Sequence, residues 1–317
     1  MTLLTIFRTY VFTALLCFLL GNPSPAFAAQ RYAVAALPTP MFNTPDIAPI
    51  FGGQDGATLL TDSCGQLRQL EFIALPGTVF TITDTVPGGP APVFRVTTAD
   101  YPYPSTDGYF IDSRFVTVTE KRPPERARQL PSRQTIIDRL LAARGSIYVW
   151  GGNVRSGISR MWDLFPPAKG AVVPNLLRTR WELRGVDCSG LLYEATDGVT
   201  PRNTSALVSF GKPVSISGQT TGEIVRRVEP LDLIVWKGHV LIILDRNTVI
   251  ESYLNCATGG GVRIRPLVDA LADIRKKREP LDAWPEEKKK QEKGFVIRRW
   301  YQDLANDSGS IPLVPYH

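Results

Sequence analysis

The first half of the chain alternates short apolar runs with turn residues. Runs of β-type residues within positions 46–118 read LRQLEFIAL, TVFTIT, VFRVTT and GYFIDSRFVTV. Clusters rich in Pro and Gly separate them at 75–77, 87–92 and 102–108. Short strands at this spacing, without a helical period, predict a small β-barrel. Ahead of them, the Pro- and Thr-rich stretch 31–45 predicts an extended N-terminal arm.

The second half begins with a helical pattern and ends with strands. In QTIIDRLLAARG, four apolar residues recur at helical spacing before Gly145. A second helix is predicted to begin at Asp187–Cys188. Strand patterns follow at DLIVW, HVLIIL, TVIESY, GVRIRPL and FVIRRW. Helices first and antiparallel strands afterwards predict an α+β domain.

Three stretches depart from these patterns. Residues 121–133 (KRPPERARQLPSR) carry Pro and Arg instead of apolar periodicity, which predicts a linker. Residues 154–184 are irregular. The mixed-charge run IRKKREPLDAWPEEKKKQEKG, between the fourth and fifth strands, predicts a solvated loop or a short helix.

The N-terminus has the layout of a cleaved export signal. Arg8 precedes an apolar run from Val11 to Leu20, and Ala26-Phe27-Ala28 supplies a small-x-small ending. The run is shorter than the ~20 residues that span a bilayer, although a retained anchor is the alternative. We therefore expect residues 1–29 to be removed and the mature chain to be exported, with no membrane-spanning segment.

Composition and charge narrow the classes of partner. An apolar content of 44% with 21% charged residues is ordinary for a globular protein. A net charge of +6 predicts attraction to polyanions, which outside the cytoplasm are wall polymers and anionic lipid surfaces. The basic residues are scattered and no nucleic-acid-binding motif accompanies them, so no nucleic acid partner is expected. The glycine pairs lack the flanking residues of a phosphate cradle, so no nucleotide cofactor is expected.

Export would leave three cysteines: Cys64, Cys188 and Cys256. An odd number in an oxidising compartment leaves at least one thiol over. No Cys-x-x-Cys pair occurs, so no metal site is expected. A bond between Cys64 and Cys256 would join the two halves and spare Cys188, but the sequence leaves that pairing open.

In GVDCSGLLYEA, Cys188 stands at a predicted helix start. It could be a buried small residue, half of a disulfide, a metal ligand or a nucleophile. Asp187 is a good N-cap residue, so the sulfur would lie in the first turn, where free N–H groups and the helix dipole favour negative charge. A cysteine attacks as its thiolate, and the same N–H groups can receive an oxyanion.

A base for this thiol has few candidates. The chain has two histidines, His239 and His317, and His317 is the last residue. Terminal residues rarely order a site, so an imidazole partner for Cys188 would be His239, at the start of an apolar strand. Glu251, on the next strand, is placed to orient that ring, unless it is a solvent-facing strand residue.

Taken together, YVWGG, DCSGL, PRN, DLIVWKGHVLIIL and TVIES resemble the NlpC-type cell-wall cysteine peptidases, papain-like endopeptidases of peptidoglycan stem peptides. The likeness covers about residues 133–300. It implies that Cys188 is the nucleophile and His239 the general base and acid. Glu251 stands where the family usually has His, Asn or Gln, but a carboxylate can also orient imidazole. The stretch 154–184 is longer than the family's usual connection and is expected to reshape or cover the substrate groove.

The likeness also implies substrate contacts. Four residues lie in or beside the cleft on this basis: Tyr148, Asp187, Ser189 and Ser205. The first half is similar to the bacterial SH3-like modules that close one end of the groove in related peptidases, so that peptides with a free N-terminal L-alanine fit. An acidic side chain of the module then pairs with the substrate amine, and Glu71 is the first choice, with Asp112 the alternative.

The sequence therefore predicts a papain-like α+β domain preceded by a small SH3-like β-barrel. The expected activity is hydrolysis of the γ-D-glutamyl–diaminopimelate bond in peptidoglycan or muropeptides, in the periplasm or cell envelope of a bacterium. A catalytically silent wall-binding protein and a papain-like amidase or acyltransferase are the alternatives. Arg184 and Arg202 are expected to attract substrate carboxylates. The predicted segments are a signal peptide (1–29), an arm and SH3-like domain (30–120), a linker (121–133), a peptidase domain (134–303) and a tail (304–317).

Overall fold

The computed structural model describes residues 30–53, 55–87 and 89–301. The predicted signal peptide and the predicted tail, with His317, lie outside the described residues. From Arg31 onward the described chain forms one compact unit. Within it, none of the helices combines the length and the apolar character that crossing a membrane requires.

The first half of the chain is built of antiparallel strands. Its strands are β1 (Arg31–Ala35), β2 (Thr39–Phe42), β3 (Phe51–Gly52), β4 (Thr58–Leu59), β5 (Leu70–Ala74), β6 (Val79–Val86), β7 (Val93–Thr97), β8 (Tyr109–Asp112) and β9 (Val116–Thr119). Short 3-10 turns lie at Ala48–Ile50 and Ser113–Phe115. Seven strands form one sheet in the order β5-β2-β8-β7-β6-β1-β9, and β3 pairs with β4 separately.

This sheet differs from the expected module in two ways. Its order begins at β5 and ends at β9, and within the described chain these two strands do not pair, so the expected SH3-like barrel is not shown. The segment expected to be an arm is extended, but its strands are internal to the sheet: β1 lies between β6 and β9, and β2 between β5 and β8. Every residue of TPMF in β2 is buried, which explains why this Pro-containing segment is fixed.

The second half combines helices with a second antiparallel sheet, as predicted. Its helices are α1 (Arg133–Ala142), α2 (Arg160–Leu164), α3 (Asn175–Trp181), α4 (Cys188–Ala195), α5 (Thr204–Leu207), α6 (Thr221–Arg227), α7 (Leu267–Arg275) and α8 (Lys288–Lys293). Its strands are β10 (Asn153–Val154), β11 (Gly185–Val186), β12 (Lys212–Val214), β13 (Leu233–Trp236), β14 (His239–Ile243), β15 (Thr248–Tyr253), β16 (Gly261–Pro266), β17 (Glu279–Pro280) and β18 (Gly294–Arg299). The main sheet has the order β12-β18-β13-β14-β15-β16, with β17 parallel to β18.

The two faces of the main sheet pack against different helices. Because side chains alternate along a strand, β14 sends Val240 and Ile242 to one face and Leu241 and Ile243 to the other. Val240 and Ile242 pack in a core with apolar residues of α4. Leu241 and Ile243 pack in another core with apolar residues of α7. The sheet therefore separates the helix that carries Cys188 from α7.

The stretch 154–184 joins the two halves instead of lying free. It contains α2 and α3, and Trp181 is fully buried in a core shared with strands of the first sheet. The ring of Phe165 stacks on that of Phe51 at 5.1 Å. The indole N–H of Trp181 donates to the carbonyl oxygen of Phe165 at 2.8 Å. The apolar residues of this stretch are thus explained by the contact that they make with the first half.

Covalent and polar links also connect the halves. Cys64 and Cys256 form a disulfide across 192 residues of sequence, the pairing that the sequence left open. The side chain of Asn153 accepts from the backbone N–H of Ile73 and donates to its carbonyl oxygen. In the predicted linker, Arg128 forms an ion pair with Asp100 of the first half. The linker is therefore fixed to the fold.

Candidate active site

Cys188 lies at the first turn of α4, as predicted, and its exposed fraction is 7%. The carboxylate of Asp187 caps the helix by accepting from the N–H of Gly190 at 2.7 Å. Gly190 lets α4 approach β10 closely, because a Cβ there would lie 2.0 Å from the carbonyl oxygen of Gly152. Within the described chain, Cys188 is the free cysteine. The sulfur thus lies at the positive end of the helix dipole.

Behind the nucleophile, a buried arginine organises the start of α4. One guanidinium nitrogen of Arg202 bonds to the carboxylate of Asp187 at 2.7 Å, and another donates to the hydroxyl of Ser189 at 2.9 Å. Burial disfavours the charge on Arg202, but Asp187 outweighs that effect and raises the pKa of the guanidinium above its usual value. Arg202 also donates to Gly152 and Asn153, which ties α4 to β10.

This cluster changes the roles expected for the two arginines. Arg202 is 4% exposed and its donors are used internally, so it is not available to attract substrate carboxylates. Arg184 lies on the surface and pairs with Glu182 at 2.7 Å. The side chains of Asp187 and Ser189 are hydrogen-bonded to Arg202 and to each other.

His239 connects the thiol to a carboxylate. Its Nε2 lies 2.7 Å from the carboxylate oxygen of Glu251. On the other side, the Sγ of Cys188 lies 4.0 Å from the carbonyl oxygen of Gly238, the residue before His239, and Cys188 contributes to the charge of the ring. Burial lowers the pKa of His239, but the bonds to Cys188 and Glu251 raise it more strongly, to about 9. The loop before the strand is held by Thr204, whose hydroxyl accepts from the N–H of Gly238 at 2.9 Å. The arrangement favours the charged imidazolium form of His239.

Glu251 is a buried carboxylate with three cationic neighbours. Burial raises the pKa of Glu251, but His239 and Arg263 lower it overall, so the carboxylate is ionised. Arg263 approaches it at 2.9 Å and Arg265 at 3.5 Å. Arg263 is in turn placed over the ring of Tyr253, 3.6 Å from its centre. The sequence reasoning missed both arginines, although their spacing in GVRIR puts them on one face of the strand beside Glu251.

The remaining predicted residues lie at different positions around this centre. Tyr148 is buried close to Asp187 and Cys188, and burial with these neighbours raises the pKa of its hydroxyl. Ser205 is exposed in the first turn of α5, next to Thr204. Glu71 is half-buried, and its carboxylate accepts from Asn43 at 2.8 Å and from Tyr101 at 3.1 Å. The alternative candidate from the first half is occupied, because Asp112 is paired with Arg114 at 2.7 Å.

A residue that the sequence reasoning did not single out also lies near this region. The indole of Trp150 is 36% exposed and carries the guanidinium of Arg68 over its ring, 4.0 Å from the centre. The backbone N–H of Trp150 donates to the side chain of Gln66. Arg68 also influences the ionisation of Tyr148. The loop after Cys64, in the first half, therefore borders the surroundings of the nucleophile.

Solved structures provide distant likenesses. A NlpC/P60 family protein from Bacillus cereus ATCC 10987 is 14% identical, and the match covers 86% of this chain and 64% of that one, with a TM-score of 0.31. RipD from Mycobacterium tuberculosis, a non-catalytic NlpC/p60 domain protein with a peptidoglycan-binding function, is 21% identical over 42% of this chain and 86% of its own, with a TM-score of 0.28. NlpC2 from Trichomonas vaginalis is 12% identical over 85% of this chain and 72% of its own, with a TM-score of 0.29.

No family model and no curated protein matches the sequence. The chain spans less than two thirds of the length of the Bacillus cereus protein. At these identities and TM-scores the likenesses carry no weight for the chemistry. The function is therefore inferred from the side chains described above.

Replacing Glu251 with glutamine is expected to shift the basic limb of the pH–activity profile to lower pH. In the native protein the imidazolium of His239 persists until the pH rises through about 9. Because the variant loses the carboxylate that favours this charge, the limb should move down by about 1–3 pH units. The measurement is kcat/KM between pH 5 and 10. Glu279→Gln, which changes an exposed glutamate of β17, should leave the limb in place; an unmoved limb in Glu251→Gln would contradict the assigned role.

Proposed function

We propose that this protein is a cysteine endopeptidase that hydrolyses peptidoglycan stem peptides. The observation that carries the proposal is the arrangement of Cys188, His239 and Glu251: the thiol lies at a helix start beside Gly238, and the next residue, His239, has its ring hydrogen-bonded to Glu251. A nucleophile, a base within hydrogen-bond reach and a group that orients the base form the constellation that acyl transfer requires. The resemblance in sequence motifs supports peptidoglycan as the substrate class.

The proposed reaction proceeds through an acyl-enzyme. The thiolate of Cys188 attacks the carbonyl carbon, and the N–H groups at the start of α4 stabilise the oxyanion. The carbon–nitrogen bond then breaks as the imidazolium of His239 donates its proton to the leaving amine, which leaves a thioester. Water attacks the thioester while His239 takes up a proton, and the acid product leaves with the thiolate restored. Glu251 keeps the ring oriented throughout.

The finer specificity is part of the proposal. The bond is the γ-D-glutamyl–diaminopimelate amide, and the first sheet closes one end of the groove so that a free N-terminal L-alanine is selected. Glu71 supports this assignment because it is a carboxylate held by Asn43 and Tyr101 with no arginine or lysine bonded to it among the described residues. Export to the periplasm or cell envelope is proposed from the sequence of residues 1–29.

The test is product analysis by mass spectrometry on muropeptides with and without a free N-terminal alanine. We expect cleavage on the carboxyl side of D-glutamate and a preference for the free amine. Glu71→Gln should reduce that preference about tenfold, the loss expected for one charge-assisted hydrogen bond. Glu120→Gln, an exposed glutamate of the first half, is the matched control. Binding to sacculi without any product would support a wall-binding role instead.

A further inference from the structure

A cleft of about 320 Å³ lies beside the carboxylate of Glu251. It is formed by β13, β14, β15 and β16 on one side and by α7 with the residues after it on the other. Its wall includes Glu251 and Trp236, and the ring of Trp236 is 5.3 Å from that of His239. Ala270 and Ile274 of α7 contribute apolar floor. The cleft is therefore on the face of the sheet opposite α4, yet it touches two partners of His239.

The charges of this cleft are predominantly positive. Four basic side chains and two acidic ones line it: Arg265, Lys276, Lys277, Arg278, Glu251 and Asp273. The two carboxylates are already used. Glu251 is paired with His239 and Arg263. Asp273 is paired with Arg265 at 2.5 Å and with Lys276 at 2.8 Å. An excess of positive charge is thus left facing the cleft.

Arg278 is the residue of this cleft best placed to bind an anion. Its guanidinium lies over the ring of Trp236, 4.7 Å from the centre, and donates to the carbonyl oxygens of Glu292 and Gly294. These carbonyls fix its position without neutralising its charge. Burial alone lowers the pKa of Arg278, and no carboxylate of the described residues pairs with it. A partly buried cation without a counter-charge makes the cleft favourable for an anionic ligand.

The geometry points to an oxyanion-binding site in this cleft, held by Arg278 and Lys277, whose occupancy is coupled to the charge of His239. The ligand is a small anion with a tetrahedral oxyanion or a carboxylate group, since an arginine fork and a neighbouring ammonium suit both. The coupling rests on the Cys188–His239–Glu251 arrangement of the proposed function, but not on hydrolysis itself.

The coupling follows from the groups that face His239. Glu251 of β15 hydrogen-bonds to its ring, and Cys188 of α4 also acts on the charge of the ring. Arg263 and Arg265 of β16 pair with Glu251. An anion in the cleft would add negative potential beside Arg265 and favour the imidazolium. By thermodynamic reciprocity, the imidazolium form of the protein binds the anion more tightly than the neutral form.

Isothermal titration calorimetry of the full mature chain with sodium sulfate tests the site, because sulfate keeps its charge between pH 5 and 10. We expect saturable one-to-one binding in a low-salt buffer, with sodium chloride at matched ionic strength giving no saturable heat. Arg278→Gln should weaken binding about tenfold, as expected for one charge-assisted contact. Lys277→Gln should weaken sulfate binding severalfold. This second variant still tests the site if Arg278→Gln folds poorly. Lys289→Gln, an exposed lysine of α8, should bind as the native protein does.

Sodium acetate as a second ligand distinguishes the two sources of oxyanion. Tighter binding of sulfate favours a phosphate- or sulfate-bearing ligand, and tighter binding of acetate favours a carboxylate.

The coupling is tested by NMR titration of the His239 ring. Sulfate should shift the midpoint of this titration to higher pH in the native protein but not in Arg278→Gln. Absence of saturable binding, or equal binding by Arg278→Gln, would overturn the site. An unmoved His239 midpoint at saturating sulfate would overturn the coupling. None of these results depends on peptidase activity, so they can fail independently of the proposed function.

Discussion

Replacement of Cys188 with alanine is expected to reduce stem-peptide hydrolysis by ~10⁴-fold or more, the scale on which loss of a nucleophile acts in triad enzymes. The reason is that no other described thiol can form the acyl-enzyme, since Cys64 and Cys256 are joined to each other. The measurement is the initial rate of product release, followed by chromatography. Because Asp187 and Arg202 hold the start of α4 without the sulfur, the variant should unfold at nearly the same temperature.

Two controls separate chemistry from folding in that experiment. Ser217→Ala, which changes an exposed serine outside the site, should retain full activity. Among the cysteines of residues 30–301, iodoacetamide should label Cys188 alone in the folded native protein and none in the alanine variant. Substantial hydrolysis by Cys188→Ala would show that another group performs the reaction, and the peptidase proposal would be abandoned.

Replacement of Arg202 with methionine is expected to lower the free energy of unfolding by about 3–5 kcal/mol, the cost of breaking a buried ion pair from one side. The carboxylate of Asp187 would remain 8% exposed without its main partner. Ser189 and Asn153 would each lose a donor as well. The measurement is denaturation in guanidinium chloride, with the midpoint and slope compared with those of the native chain. Activity should also fall, because the first turn of α4 is no longer held.

Arg184→Met is the matched control, because that arginine is half-exposed and its buried partner Glu182 would keep a second arginine, Arg178. It should cost about 1 kcal/mol or less. The double variant Asp187→Asn with Arg202→Met should recover part of the lost stability, since the unpaired charge is removed together with its partner. Equal costs for the two arginine variants would contradict the buried role of Arg202.

The strands of the second half were predictable because apolar runs bounded by turn residues are a local signal. His239 could be chosen because the chain has two histidines and one is terminal. Its placement near Glu251 was expected from the antiparallel pairing of two consecutive strands joined by a short turn, and in the structure the two side chains lie 2.7 Å apart. These features depend on residue patterns within short segments and on the small number of histidines, and both can be read from a single sequence.

Other features depend on contacts between distant segments. Arg202 was expected to attract substrate carboxylates because it is a basic residue near the motifs, and only the fold brings Asp187, Ser189 and Asn153 around it. The order of the first sheet was not predictable, because β1 and β2 come from a Pro-rich segment whose local pattern indicates an arm. The stretch 154–184 looked irregular, because the partner of Trp181 and Phe165 is the first half of the chain.

The central claim is that His239 is charged beside the Cys188 sulfur, and an NMR titration of its ring tests this most directly. The chain has two histidines, so a His317→Gln variant assigns the signals. We predict a midpoint of about pH 9 for the His239 ring in the native protein. In Cys188→Ala we predict a clearly lower midpoint, because the sulfur that helps to raise the pKa of His239 is gone. A native midpoint near the ordinary value of about 6.5, unchanged by the loss of Cys188, would contradict the claim.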